Sequence, residues 1–419
     1  MEEPCMAQFL KVKTAEEVLE MIAGVPGLDC ESIGIMEACG RVLAGPLVAP
    51  EPVPHFQRAT MDGFAVRARD TFGATESLPA LLQLAGEVRM GRRVAMELAP
   101  GTAVAIPTGG MLPATADAVV MVEYTQALDD RTIEVIKPVA PGDNVLQVGE
   151  DLAPGRTLFA RGWQLRPQDL GVLAALGVGS VSVYRQPRVA VLSTGDEIVP
   201  WETGLLPPGK IRDINSVVIS GQVVQASARL GRVAVLADDL TELTAVCRQA
   251  FEDHDLVLLS GGSSVGIRDY TLQVLEQLPD AQLLVHGVAI RPGKPTILAR
   301  VGTKFFCGLP GQPTSAMIVF TAFVRPLLAR MQGLDAGSAP ARATVRAVLD
   351  RRLPSVHGRA DYVRVALRNA DGRRLASPVF GKSAMISTLM EADGYVIVPE
   401  HVEGYEAGEA LTVYLFGAA

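Results

Sequence analysis

Short, continuously apolar runs alternate with helical stretches through the middle of the chain. RVAVLST (Arg188 to Thr194), RVAVLAD (Arg232 to Asp238) and DLVLLS (Asp255 to Ser260) have strand length. A run apolar at every position belongs to a strand buried on both faces. Between them, NSVVISGQVVQASARLG predicts a helix with Asn215 as N-cap and Gly231 just past its end. Thr241 to Phe251 places Leu243, Val246, Cys247 and Ala250 on one helical stripe. Tyr270 to Leu278 predicts a further helix. Strands follow near Leu283 to Ile290, Thr296 to Val301 and Lys304 to Gly308, and PTSAMIVFTAFVRPLLARM predicts a long helix kinked by Pro326. The alternation predicts a doubly wound parallel α/β sheet, whose ligands sit beyond the carboxyl ends of the strands.

The flanks carry a different pattern. From about Val53 to Leu146 the chain is rich in Gly and Pro, with short β-like runs such as TAVAIP, DAVVMVE and TIEVIKP. Lys13 to Ile22 and Arg166 to Leu176 read as helices on either side, the second with Pro167 near its start and Gly177 near its end. The β-rich segment is therefore expected as an insertion into a domain built from both flanking pieces. After Leu334 the pattern is β again (ATVRAVLD, DYVRVALR, GYVIVPE, ALTVYLF), which predicts a small C-terminal barrel or sandwich. GLDAGSAPA, Gly333 to Ala341, is the expected linker. The expected domains are 8–53 with 148–186, the insertion 54–147, the α/β domain 187–332 and the barrel 340–419. A length of 419 residues suits three or four domains.

Composition narrows the function classes. Net charge is −8 and no long Lys/Arg run occurs, which argues against nucleic-acid binding. No stretch of about twenty uncharged apolar residues is present, so no membrane span is expected. The start, MEEPCMAQFLKVK, is acidic without a long apolar core, which predicts no secretory signal and a cytoplasmic location. Cys5, Cys30, Cys39, Cys247 and Cys307 form no C-x-x-C, and are expected as buried or incidental thiols. The five histidines show no H-x-x-x-H spacing, against a catalytic zinc.

The candidate chemistry lies at the strand ends. LSTGDEIV presents Thr194, Gly195 and Glu197. LSGGSSVGIRDY presents Ser260, Gly261, Gly262 and Asp269. CGLPGQPTSA presents Pro310 and Gly311 before a helix. Glycine turns and exposed backbone amides suit an anion, but neither G-x-x-x-x-G-K-[ST] nor a well-placed G-x-G-x-x-G occurs. Glu197, Asp238 and Asp269 near one edge would repel a phosphate unless a hard cation such as Mg2+ lay between. Arg291 and Lys294 flank a Pro-Gly turn and suit an oxyanion; a solvated hairpin is as compatible with their spacing. Asp62, Thr108 and Asp151 lie in turn-like stretches where Asp and Gly are ordinary.

Together, MDGFAVR, PTGGMLPATADAVVMVE, VGEDLAPG, VLSTGDEIV, GKIRDIN, LSGGSSVGIRDYT, RPGKP, GLPGQPTSA and GKSAMISTLMEADGYVIVPE resemble the molybdopterin molybdenumtransferase family, which includes the E domain of gephyrin. The resemblance runs from about Val53 to Pro399. It implies a multidomain fold: a central molybdopterin-binding α/β domain, an inserted β-rich domain, an elongated linker domain and a C-terminal β-barrel. It also implies insertion of molybdate into adenylylated molybdopterin with Mg2+, releasing AMP and molybdenum cofactor. A homodimer with a shared active cleft is implied, with molybdopterin adenylyltransferase and molybdoenzymes as partners. Functional roles follow for Asp62, Thr108, Asp151, Glu197, Asp238, Asp269 and Ser383, and more loosely for Arg359. The alternatives are a scaffold or cofactor-binding protein of the same fold, and a molybdopterin adenylyltransferase. The chain departs from the family pattern at Ser263, Gln312, Leu146, Gln147, Gly287 and Thr115, and by Arg291 where lysine is usual. Ordinary divergence explains these changes; altered oxyanion preference, tungstate over molybdate, is the sharper alternative.

Overall fold

A computed structural model describes residues 12–261, 265–334, 343–370 and 372–417. Two compact units emerge, Gly45–Arg161 with Pro167–Gly179, and Met1–Ala44 with Gly162–Arg166 and Ser180–Ala419.

The larger unit is built around a six-stranded sheet. Its order is Arg229–Leu236, Arg188–Thr194, Leu256–Gly261, Lys304–Leu309, Ile297–Val301, Ala281–His286. The first four strands are parallel, as the alternation predicts. Ile297–Val301 runs antiparallel to both neighbours, so the sheet is mixed. The tight Gly302 turn (φ +60°) joins it directly to Lys304, leaving no room for a crossover helix.

The continuous apolar runs have a simple cause. Val189, Val191, Leu256 and Leu258 pack into the core that holds the helices Ala15–Ala23, Asn215–Gln225 and the Pro313–Met331 stretch. Ala190, Leu192, Val257 and Leu259 face the opposite core, with Leu243, Cys247 and Val274. Both faces are covered, so neither parity of residue can be polar. Burial pushes the thiols of Cys247 and Cys307 up to about 12, which keeps them protonated and inert. Cys30 and Cys39 are exposed, and Cys5 lies outside the described residues.

Two helix boundaries differ from expectation. Asn215 is the first residue of its helix and not the N-cap; the Ser216 N–H is capped by Asp213 Oδ1 at 3.1 Å. The helix ends at Gln225, and Gly231 lies inside the following strand, pressed against His254. Pro326 does sit at a break: Phe320–Val324 is a π-helical segment between Pro313–Val319 and Arg325–Met331. The whole stretch is long and apolar enough to cross a membrane, but 78% of it is buried within the fold.

In the same unit, Thr344–Leu349, Ala360–Ala370, Arg373–Pro378, Gly394–Val398 and Ala410–Leu415 pair in a ring, closing a five-stranded barrel. Val365, Ala376, Val396 and Val413 fill it. Tyr362 and Tyr395 pack outward onto the α/β core. The α/β segment Ile290–Arg291 adds to the barrel's edge, pairing in parallel with Ala360–Asp361. Of the expected linker, Gly333 to Ala341, residues 335–341 lie outside the described residues.

The smaller unit holds a second six-stranded sheet, ordered Ala118–Met121, Gly63–Val66, Thr102–Ile106, Ala80–Glu87, Thr132–Val135, Thr125–Asp129. Ala65, Val104 and Val119 pack on one face and Val66, Ala103 and Val120 on the other. A helix over Pro167–Ala175 ends before Gly177, which takes φ +68° as the sequence predicts.

Candidate functional site

The chain leaves Arg188–Thr194 toward one side of the sheet, then returns to place Leu256–Gly261 on the other side. This is a switch point, where the two crossovers diverge and a crevice opens at the carboxyl edge. In register, Ser193 faces Ser260, Thr194 faces Gly261, and Ser260 faces Leu309. The three loops expected to converge therefore do so on successive strand ends.

Beneath the crevice lies a buried polar junction. Ser193 Oγ donates to Asp213 Oδ1 at 3.0 Å and lies 3.3 Å from Ser260 Oγ. Asn215 Nδ2 donates to the Gly311 carbonyl at 2.8 Å and reaches Ser260 Oγ at 3.3 Å. One side chain thus ties the Leu256–Gly261 strand to the loop after Lys304–Leu309. The Ser260 hydroxyl is spent inside this junction, so what the strand end presents outward is its backbone. Asp213 and Asn215 lie in GKIRDIN, a stretch marked by resemblance whose contacts across the sheet carry no local signal.

On one side of Thr194 stand the acids. Thr194 Oγ1 donates to Asp238 Oδ1 at 2.6 Å. Asp196 and Asp238 brace each other through backbone N–H groups, at 3.4 Å to Asp238 Oδ2 and 3.2 Å to Asp196 Oδ1. A Cβ on Gly195 would lie 2.8 Å from Glu197 Oε2, so the glycine (φ +155°) lets Glu197 fold back over the strand end. No cluster of three or more His, Cys, Asp or Glu side chains poised for a metal occurs among the described residues. The Asp269 side chain, Gly262 and Ser263 lie outside them.

On the other side a cavity of about 320 Å3 opens. Gly261, Pro310, Gly311, Arg291 and Lys294 line it, with Arg359 and Ser383 from the barrel segment. Six residues singled out in the sequence, together with the loosely matched Arg359, are brought to one place. Ser315 and Gln312 also line it; Gln312 immediately precedes the Pro313–Val319 helix. Thr314 Oγ1 donates to the Ser383 carbonyl at 2.8 Å, fixing the barrel loop against the α/β unit. Three cationic side chains and several backbone and hydroxyl donors around one hollow suit a compact oxyanion or phosphate.

The smaller unit groups Asp62 and Thr108. Gly63 pairs with Ile106, which sets the residues beyond each strand side by side. A Cβ on Gly63 would lie 1.9 Å from the Val120 carbonyl oxygen, so this turn demands glycine. Asp62 Oδ1 accepts from Thr108 N–H at 2.6 Å and Thr108 Oγ1 at 2.8 Å. The backbone donor first, then the hydroxyl, hold the Asp62 carboxyl below its usual range. Thr108→Val removes only the hydroxyl. Its expected result is a partial rise of the Asp62 titration midpoint, read by carboxyl-carbon NMR; an unchanged midpoint would count against the hydroxyl bond. Asp151 is anchored separately, its N–H donating to the Val53 carbonyl at 3.1 Å. Two departures also find local partners here: Thr115 exchanges hydrogen bonds with the backbone of Leu98 at 2.6 and 3.2 Å, and Gln147 accepts from Gln57 at 2.5 Å.

Comparison with known proteins matches three regions of the chain to one family. Residues 10–177 match the family described as MoeA N-terminal region (domain I and II). Residues 190–330 match the probable molybdopterin binding domain, and 346–416 the MoeA C-terminal region (domain IV). The chain is 32% identical over 391 residues to the molybdopterin molybdenumtransferase of Bacillus subtilis, covering 92% of this chain and 90% of that one. It is 34% identical to the Haemophilus influenzae protein of the same name, covering 92% and 94%. A solved molybdopterin biosynthesis MoeA protein from Pyrococcus horikosii superposes with a TM-score of 0.83 at 37% identity, covering 98% of this chain and all of that one.

Proposed function

Since the chain belongs to the MoeA family of molybdopterin molybdenumtransferases, we propose that it inserts molybdate into adenylylated molybdopterin, releasing AMP and molybdenum cofactor. The observation that carries this reading is the cavity at the switch point. Its cations, Arg291, Lys294 and Arg359, suit a dianion. The Gly311 N–H and the Ser315 hydroxyl suit a ligand phosphate. The organic and metal–sulfur chemistry belongs to the substrates; the protein positions them and balances charge.

Mg2+ is part of the proposal. Such an ion is held by one or two carboxylates, with waters and ligand phosphates completing its shell. Glu197 and Asp238 would supply carboxylates of that kind, and Asp238 Oδ2 is engaged only by a long 3.4 Å contact among the described residues. Asp269 is the third proposed ligand. When bound, the ion would neutralise the pyrophosphate of the substrate. The reading also includes a homodimer acting in the cytoplasm.

The test incubates the purified chain with adenylylated molybdopterin, Mg2+ and molybdate, and follows AMP by chromatography. Molybdate-dependent AMP release is expected. Ligand binding without release would overturn the reading in favour of a scaffold, and ATP consumption with free molybdopterin would favour an adenylyltransferase.

A further inference from the structure

Arg291 reaches the cavity wall already paired. Its Nη2 donates to Asp361 Oδ2 in a close ion pair, and Ser355 Oγ donates to the same oxygen at 3.2 Å. The two partners are unequal: 43% of the Arg291 side chain is accessible, against 6% for Asp361. The carboxylate is fixed within the barrel edge, and the long, flexible guanidinium arm is what it fixes. The backbones are registered too, Arg291 lying directly opposite Asp361 in the short parallel pairing that joins the α/β segment to the barrel.

We propose that Asp361 is a positioning residue for the oxyanion pocket, holding Arg291 by one nitrogen so that its remaining N–H groups stay turned toward the cavity. A guanidinium carries five donors in a rigid fork, so one can be committed while others stay free. A lysine held by the same carboxylate would have a single nitrogen to divide between Asp361 and the ligand. This gives Arg291 a use distinct from simple replacement of the family's usual lysine. Pre-ordering one long side chain saves the entropy of ordering it when the anion arrives.

The proposal rests on the reading of the cavity as an oxyanion site, so its test uses direct binding and not turnover. Molybdate is titrated calorimetrically into the purified full-length protein and its variants. Asp361→Ala is expected to weaken molybdate binding about tenfold, Ser355→Ala about twofold, and Asp361→Glu to recover most of the loss. In an Arg291→Ala background, Asp361→Ala should weaken binding no further, because the arm it holds is gone. A purely structural role would give the same loss in both backgrounds, and that result would overturn the proposal. So would binding by Asp361→Ala within twofold of the parent. If Asp361→Ala does not fold, the same decision falls to Ser355→Ala measured with and without Arg291. Molybdate binding by the parent with no AMP release would overturn the transferase reading while leaving this proposal open to the same cycle.

Discussion

Asp238→Asn is expected to slow AMP release by about a hundred- to a thousandfold while the fold persists. Asparagine keeps an oxygen where Oδ1 accepts the Thr194 hydroxyl at 2.6 Å, so the brace between the two strand ends survives. What disappears is the negative charge, and with it the long 3.4 Å contact that Oδ2 accepts from the Asp196 N–H. In the proposed reaction that charge, with Glu197, holds the cation that offsets the ligand's pyrophosphate. Single-turnover AMP release at saturating Mg2+ and molybdate measures the loss, and a melting curve close to the parent's shows that the fold is intact. A rate within fivefold of the parent would remove Asp238 from the reaction and leave it a strand-end brace.

Gly231→Ala is the second large effect, and it falls on stability. A Cβ at this position would lie 2.0 Å from His254 Nε2 and 2.5 Å from Cδ2. The imidazole is buried and tied at both ends: Nε2 accepts the Arg232 N–H at 3.0 Å, and Nδ1 lies 2.8 Å from the Ala250 carbonyl. Since Nε2 accepts, Nδ1 carries the proton and donates, which fixes the tautomer. To admit the methyl group the ring must leave, losing two hydrogen bonds at about 1 kcal/mol each and straining a close-packed face. A loss of about 3 kcal/mol is expected for the larger unit, read as a lower urea midpoint. Adding His254→Ala should restore part of it, since the clash goes with the ring. A midpoint unchanged by Gly231→Ala would show that the ring moves freely.

These two residues also mark how far the sequence could be read. Arg188–Thr194 and Leu256–Gly261 were legible because burial on both faces leaves a continuous apolar signature. Gly231 misled: after a helical run it resembles a C-terminal stop, and its true reason is a histidine brought beside it by the fold. The antiparallel course of Ile297–Val301 was equally hidden, since an apolar strand does not encode its direction. The strand-end loops could be found as glycine-rich turns, whereas Asp62, Thr108 and Ser383 became candidates only through resemblance. Asn215 and Asp361 were missed as site residues. Each works through a partner far along the chain, Gly311 in one case and Arg291 in the other. Pairings of that kind leave no periodicity to detect.

The strand exchange between Ile290–Arg291 and Ala360–Asp361 has a consequence for timing. A chain made from its amino end exposes Arg291 and the Pro310–Gly311 loop well before Arg359, Asp361 and Ser383 exist. The ring that carries those residues closes when Ala410–Leu415 pairs with Gly394–Val398. A nascent chain halted between Gly311 and Arg359 lacks Tyr362 and Tyr395 from its central core, and Arg359 and Ser383 from the cavity lining. On the proposed reading, oxyanion capture therefore belongs to the finished molecule, and ribosomes paused upstream of Ala410 would carry chains that take up no ligand.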